Sequence, residues 1–274
     1  MLHEFNYHEP ASLPEALEFL SEHGSDTAVF AGGTDLFVAI RSGLSAPAQV
    51  MNLKGIPELH GLVWDPAAGL SIGACVTVNQ LVDSDVVREK FPVLHAAGSE
   101  LATFQLRNRA TVVGNVVTAS PCGDMSSPLM TLGGEVVLAG RSGERRLPLQ
   151  EFITGVKRTT IRPDEVVARI VIPPTWAGAR GGYEKLKRIK GHDLGVVSVA
   201  MIRHDRTVRT AISSAAPTPV LLPEVPVGTA VSELQKLAEA RITPIDDVRS
   251  SAEYRAFMVG VFIRRLMEGL EAAA

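Results

Sequence analysis

Ala110-Thr111-Val112-Val113-Gly114-Asn115-Val116-Val117-Thr118-Ala119-Ser120-Pro121-Cys122-Gly123-Asp124 is the stretch that decides the reading of this chain. About eighty residues upstream it has a counterpart, Ala31-Gly32-Gly33-Thr34-Asp35-Leu36. The counterpart follows Thr27-Ala28-Val29-Phe30, an apolar run of strand formers, so a buried strand is expected to turn sharply at Gly32-Gly33, with strands on both sides of the turn. Glycines tolerate positive φ and carry no Cβ, so successive amide N–H groups can converge on an anion, and Thr34 adds a hydroxyl donor. The longer stretch repeats this logic. Thr111 to Val113 and Val116 to Thr118 read as β-prone segments that run into Gly114-Asn115 and into Ser120-Pro121-Cys122-Gly123-Asp124. Two such turns can grip a pyrophosphate from both sides, with Asp124 accepting from a ribose or an adenine amine. Each turn alone marks an ordinary strand connection as readily as a nucleotide site, and the pairing carries the argument. The chain has neither a G-x-G-x-x-G opening a helix nor a G-x-x-x-x-G-K-[ST], so a dinucleotide here is not held in Rossmann fashion.

At these residues the chain resembles the FAD-binding, or medium, subunit of the molybdenum hydroxylases, the group containing xanthine dehydrogenase, aldehyde oxidases and aerobic carbon monoxide dehydrogenase. The family pattern T-I-G-G-N followed by Ser-Pro-x-x-Asp stands here as Thr111-Val112-Val113-Gly114-Asn115 and Ser120-Pro121-Cys122-Gly123-Asp124. Phe5-Asn6-Tyr7-His8-Glu9-Pro10 with Ser12-Leu13-Pro14-Glu15-Ala16 looks like the family's opening strand and first helix. Pro163-Asp164-Glu165-Val166-Val167 to Ile172-Pro173 looks like the end of its flavin domain. Tyr183-Glu184-Lys185-Leu186, Arg188 with Asp193-Leu194-Gly195, and Asp247 to Arg255 resemble parts of its C-terminal domain. One departure stands out: the family's first glycine is Val113, a β-branched residue where backbone approach to a flavin is expected.

The resemblance implies an α+β protein: a two-lobed FAD-binding domain of the PCMH/vanillyl-alcohol-oxidase type over residues 1–174 (lobes at about 1–56 and 57–174), then a smaller α+β domain over 178–274. It implies noncovalent FAD that takes electrons from 2Fe-2S clusters on a small partner subunit. The molybdenum cofactor belongs to a large partner subunit, and the external acceptor is NAD or another oxidant. The cofactor carries the chemistry, so no catalytic acid/base pair is expected on this chain. Carried over by position, Ala31, Gly32, Gly33 and Thr34 hold the pyrophosphate, with Val29, Phe30, Asp35 and Leu36 completing the loop. Thr111, Gly114 and Asn115 line the second side and Leu101 packs nearby. Asp124 takes the ribose or adenine end, Val167 or its neighbour Val166 packs on adenine, and Lys185 closes over the cofactor. Two other classes stay open: a stand-alone flavin oxidase of the vanillyl-alcohol-oxidase type, and an assembly subunit that has lost FAD.

Composition agrees with this reading without identifying it. The chain has 274 residues, 46% apolar and 21% charged, enough for a sizeable core. A net charge of −3 argues against nucleic acid or an anionic membrane surface as partner. The basic run Lys185-Leu186-Lys187-Arg188-Ile189-Lys190 reads as a solvated or subunit-facing strip. No apolar run approaches the length of about 20 residues that spans a bilayer. Met1-Leu2-His3-Glu4-Phe5-Asn6 lacks the pattern of a secretory signal, so a cytoplasmic protein is expected. Cys75 and Cys122 are too few for an all-cysteine cluster, and Cys122, among turn residues, is placed near the cofactor. The seven histidines, His192 and His3 among them, show no metal-ligand spacing.

Ser12 reads as the cap of a helix that ends before Gly24, Leu59 to Ala74 as a hairpin, and Val78-Asn79-Gln80-Leu81 as the opening of a helical stretch. Helical spacing at Val93, Leu94, Ala97 and Leu101 delivers Arg107 to the second turn, where it is expected to act as an anchor. Pro173-Pro174-Thr175-Trp176-Ala177-Gly178 marks a boundary. Beyond it, Gly195 to Ile202 and Val208 to Ser213 read as strands joined through Arg203-His204-Asp205-Arg206. Helices are expected around Val231 to Ala240 and from Ala252 to Leu270, with Tyr254, Phe257, Val261 and Met267 in the core.

Overall fold

The computed structural model describes residues 4–189, 191 and 193–272; the N-terminal residues 1–3, Lys190 of the basic run and His192 lie outside the described residues. The chain opens with a three-stranded parallel sheet, β1 Asn6–His8, β2 Thr27–Phe30 and β3 Gln49–Asn52, in the order β1-β3-β2. Helix α1, Leu13–His23, starts where expected, because Ser12 accepts a hydrogen bond from the Glu15 amide and Pro14 occupies the first turn. After β2 the glycine turn leads into a helix rather than a second strand, α2 Leu36–Arg41. Leu36 and Ile40 are the apolar pair one turn apart that packs on Phe30 and Val50, so helical spacing buries what a strand would have left on two faces.

The next layer is an antiparallel five-stranded sheet. The hairpin β4 Leu62–Asp65 and β5 Gly69–Gly73 leads into a helical stretch: α3 Val78–Val82, α4 Asp85–Lys90, α5 Pro92–Glu100, α6 Phe104–Arg107, α7 Val112–Val117 and α8 Ser126–Thr131. Strands β6 Glu135–Gly140 and β7 Gly143–Pro148 follow, then α9 Leu149–Phe152, the ribbon β8 Ile153–Gly155 with β9 Arg158–Thr159, and β10 Val166–Ile172; the sheet order is β4-β5-β10-β6-β7. The expected strands on either side of Gly114 are in fact helix α7. Thr111 caps it by accepting from the Gly114 amide at 3.0 Å, and Val112, Val113 and Val116 bury one face in the core. Tertiary burial at helical spacing overrides the β propensity of the valines.

The last sheet, β11 Arg180–Leu186, β12 Val197–His204, β13 Thr207–Ser213, β14 Val220–Leu221 and β15 Val225–Pro226, is antiparallel. A tight turn at Asp205-Arg206 joins β12 to β13, with Asp205 at φ +50°. Alternation along β12 sends Ala200 and Ile202 into the large core and Val197, Val199 and Met201 against the helices α10 Val231–Glu239 and α11 Ala252–Ala272. One strand thus joins two cores. On α11 the buried face runs through Arg255, Met258, Val259, Phe262, Ile263, Leu266 and Met267. Tyr254 and Phe257, expected in the core, lie on the opposite face, with Phe257 63% exposed. The core face begins one residue later than the aromatic pair suggests.

Candidate functional site

The two glycine turns meet. A Cβ on Gly32 would lie 2.2 Å from the Arg109 carbonyl oxygen, so the first loop touches the segment entering the second. Across the join the Thr118 hydroxyl reaches Asp35 Oδ2 at 3.5 Å. Gly33 has φ +73°, and a Cβ there would meet the Phe37 ring at 2.7 Å. The glycines therefore do more than open a path to a ligand. One admits the second loop's backbone, and the other takes a left-handed conformation beneath an aromatic ring that stacks edge-on against Phe30 at 5.0 Å.

The amides of Gly32, Gly33, Thr34 and Asp35 donate to no acceptor among the described residues. Consecutive donors of this kind suit an anion. Beside them lies an open apolar cleft, whose walls include Val29, Phe30 and Ala31 from the first loop, Val113 and Gly114 from α7, and Val167 from β10. Val113, the departure from the family pattern, is buried and adds to the apolar wall. Val166 lines the same cleft, and the strand bulges just after Val167. At the cleft's edge Glu165 receives both guanidinium arms of Arg145 at 2.7 Å. Those hydrogen bonds outweigh burial and hold the Glu165 carboxyl below the usual carboxylate range.

Leu101, Asp124 and Lys185 form a second group. Asp124, 8% exposed, accepts from Lys185 Nζ at 2.8 Å and from the Tyr183 hydroxyl at 2.9 Å, and the Lys185 side chain is only 1% exposed. Lys185 also donates to the carbonyl of Glu100, the neighbour of buried Leu101. Burial raises the Asp124 carboxyl, opposed by the Lys185 charge, while burial and the Asp124 charge push the Tyr183 phenol well above its usual range, so it stays a neutral donor. Asp124 is thus the counter-ion of Lys185, each oxygen accepting one hydrogen bond from the protein. Asn115 anchors the turn between the groups, its Oδ1 accepting from the Met125 amide at 3.0 Å.

Arg107 anchors the entry to α7, donating to the carbonyls of Ser99 and Leu101 and to Asn79 Oδ1, each at 3.0 Å. Among the described residues of the basic run, Lys187 meets Glu100, the half-exposed Arg188 meets Asp193, and Lys185 is buried. Cys122 receives a contact from Arg249 Nη1 to its sulfur at 3.2 Å. Sequence reasoning missed Lys54 and Arg109 beside the first loop, because single cations in unremarkable turns leave no local signal. It also gave Tyr183 no role beyond a motif position.

Residues 3–175 match the family described as the FAD binding domain in molybdopterin dehydrogenase. The chain belongs to that family. It is 33% identical to the carbon monoxide dehydrogenase medium chain of Afipia carboxidovorans, over 98% of both chains. To the xanthine dehydrogenase FAD-binding subunit of Escherichia coli O157:H7 it is 25% identical, over 98% of this chain and 97% of that one. Its fold superposes on carbon monoxide dehydrogenase from Hydrogenophaga pseudoflava, in a form lacking the Mo-pyranopterin moiety of the molybdenum cofactor, with a TM-score of 0.90, 30% identity and 98% and 97% of the two chains covered. The flavin subunit therefore has the PCMH-type fold and is an FAD-binding electron-transfer subunit of an oxidoreductase. The similarity runs through the C-terminal sheet and helices, which sets the stand-alone oxidase reading aside.

Proposed function

We propose that the first loop, Val29 to Leu36, and the start of α7, Thr111 to Asn115, hold the two ends of an FAD diphosphate, and that the apolar cleft takes the adenine against Val167. The observation that carries this reading is the convergence of unpartnered amides at Gly32 to Asp35 with an apolar cleft sharing Ala31. Donors without protein partners suit the anionic part of the cofactor, and an apolar slot suits the ring. Held there, FAD would supply one-electron acceptance and two-electron release.

The chain's own residues bind and orient. Gly33 holds the loop open in its left-handed turn, Asn115 fixes α7 to the Asp124 turn, and Asp124 with Tyr183 aims the Lys185 ammonium beside Leu101 at the other end of the site. We assign residues 1–174 to the flavin domain, with lobes at about 1–56 and 57–174, and 178–274 to the C-terminal domain. The electron donor in this reading is a small subunit with 2Fe-2S clusters, fed by a large molybdenum-cofactor subunit; NAD or another oxidant is the acceptor. No described helix is long and apolar enough to cross a membrane. We place the complex in the cytoplasm, a location supported by two unpaired cysteines. The test is co-expression with both partner subunits followed by size-exclusion chromatography. A three-subunit assembly containing the chain is expected; a chain that elutes alone and oxidises an aldehyde or purine unaided would overturn the assignment.

A further inference from the structure

A second cavity shares Ala31 with the apolar cleft, and its walls include Lys54, His60, Arg109, Thr111 and buried Cys75. It is cationic. No carboxylate lines it, and the Cys75 thiol is pushed up to about 11 by burial, so it adds no negative charge near neutral pH. Lys54 Nζ donates to the Ala31 carbonyl at 3.2 Å and lies 4.4 Å from the Phe30 ring centroid, but it forms no ion pair among the described residues. Neither does Arg109, whose side chain makes no hydrogen bond among them. Burial and then the like charge of Arg109 hold the Lys54 ammonium below the usual lysine range, against the opposing charge of Glu9.

Two cations brought to one cavity without a lining carboxylate repel each other, and the arrangement is relieved when an anion enters between them. Their anchorage is to the proposed cofactor loops themselves. Lys54 sits in a turn fixed by Asn52 Oδ1, which accepts the Lys54 amide at 3.1 Å directly after β3. The Arg109 carbonyl is the group against which Gly32 packs, and Thr111 lies two residues on. Among the residues expected to hold FAD there is no cation at this end, only amides and hydroxyls. We propose that Lys54 and Arg109 form a cationic clamp that neutralises the diphosphate of FAD, with the amides of Gly32 to Asp35 completing its shell. This rests on the flavin reading above. It adds to it the source of charge balance, which the glycine turns lack.

The experiment uses flavin-stripped protein titrated with FAD, followed by flavin fluorescence, with inorganic pyrophosphate as competitor. Wild-type protein should bind FAD, more weakly as salt rises, and pyrophosphate should compete. Lys54→Met with Arg109→Gln should weaken FAD binding about tenfold or more, lose most of the salt dependence and become insensitive to pyrophosphate. The charge-conserving pair Lys54→Arg with Arg109→Lys should keep affinity within a few-fold, which separates lost charge from misfolding. If FAD affinity is unchanged in the neutral double variant, the clamp is refuted. If instead KM for a dinucleotide acceptor rises while turnover with an uncharged dye holds, the cavity serves the acceptor's diphosphate and the proposal is overturned in that form. A wild-type protein without affinity for FAD would overturn the flavin reading itself.

Discussion

Replacing Lys185 with methionine removes the ammonium from a pair whose members are both out of water, at 2.8 Å, and leaves Asp124 with Tyr183 as its remaining side-chain donor. Breaking a buried pair from one side costs roughly 3–5 kcal/mol. The structure sets a ceiling on the charge part of that cost, because Asp124 can escape by taking up a proton. An unperturbed aspartate has a pKa of about 3.9, and each unit is worth about 1.4 kcal/mol, so protonation costs ~4 kcal/mol at pH 7 and ~1.5 kcal/mol at pH 5. The sign follows from the direction of the shift. A carboxyl raised in the folded state contributes stability that is fully present below its unfolded pKa and lost as pH rises through the folded value. The deficit of Lys185→Met should therefore grow by about 2 kcal/mol or more between pH 5 and pH 7. Adding Asp124→Asn should recover much of it, so that the double variant costs less than the sum of the singles. Urea denaturation of the four proteins at both pH values reads this directly. Equal deficits at pH 5 and 7 together with additive singles would refute the account of Asp124 as a buried counter-ion.

Gly33→Val should lower FAD affinity more than tenfold by fluorescence titration, because φ +73° disfavours a β-branched residue and the new Cβ meets Phe37; unchanged affinity would place the cofactor elsewhere. Arg107→Met, losing three anchoring hydrogen bonds, should cost about 1.5–3 kcal/mol in urea denaturation with FAD content per folded molecule unchanged, and a loss of flavin at constant stability would contradict its anchoring role. Glu165, held below the usual carboxylate range chiefly by Arg145, contributes stability present above its unfolded pKa and lost as pH falls through the folded value. Glu165→Gln should accordingly be destabilised at pH 7 by roughly 2 kcal/mol and converge with wild type in acid melts; a constant difference across pH would contradict the pair.

Much of the architecture is legible because it depends on short-range rules. Ser12 with Pro14 is a cap that works whatever packs above it, and the hairpin between Leu62 and Gly73 follows from turn residues between alternating strands. The errors arise where tertiary burial decides. Val112 to Val117 is β-prone by composition, yet a threonine cap and a buried face make it helical. Phe257 is an aromatic in a helix, and nothing local says that its side chain stays largely exposed. The first glycine turn is legible as a run of amides without protein partners, whereas at the second the Gly114 and Asn115 amides donate to Thr111. The Asp124–Lys185 contact is not legible, because 61 residues and a change of sheet separate partners whose pairing only the folded chain creates. Lys54 and Arg109 stayed invisible for the same reason.

The most direct test of the central claim is the flavin content of the purified chain. A yellow protein is expected, releasing one equivalent of FAD on denaturation and no flavin bound covalently, with the stripped form regaining its colour on added FAD. A colourless chain that shows no affinity for added FAD would contradict the account.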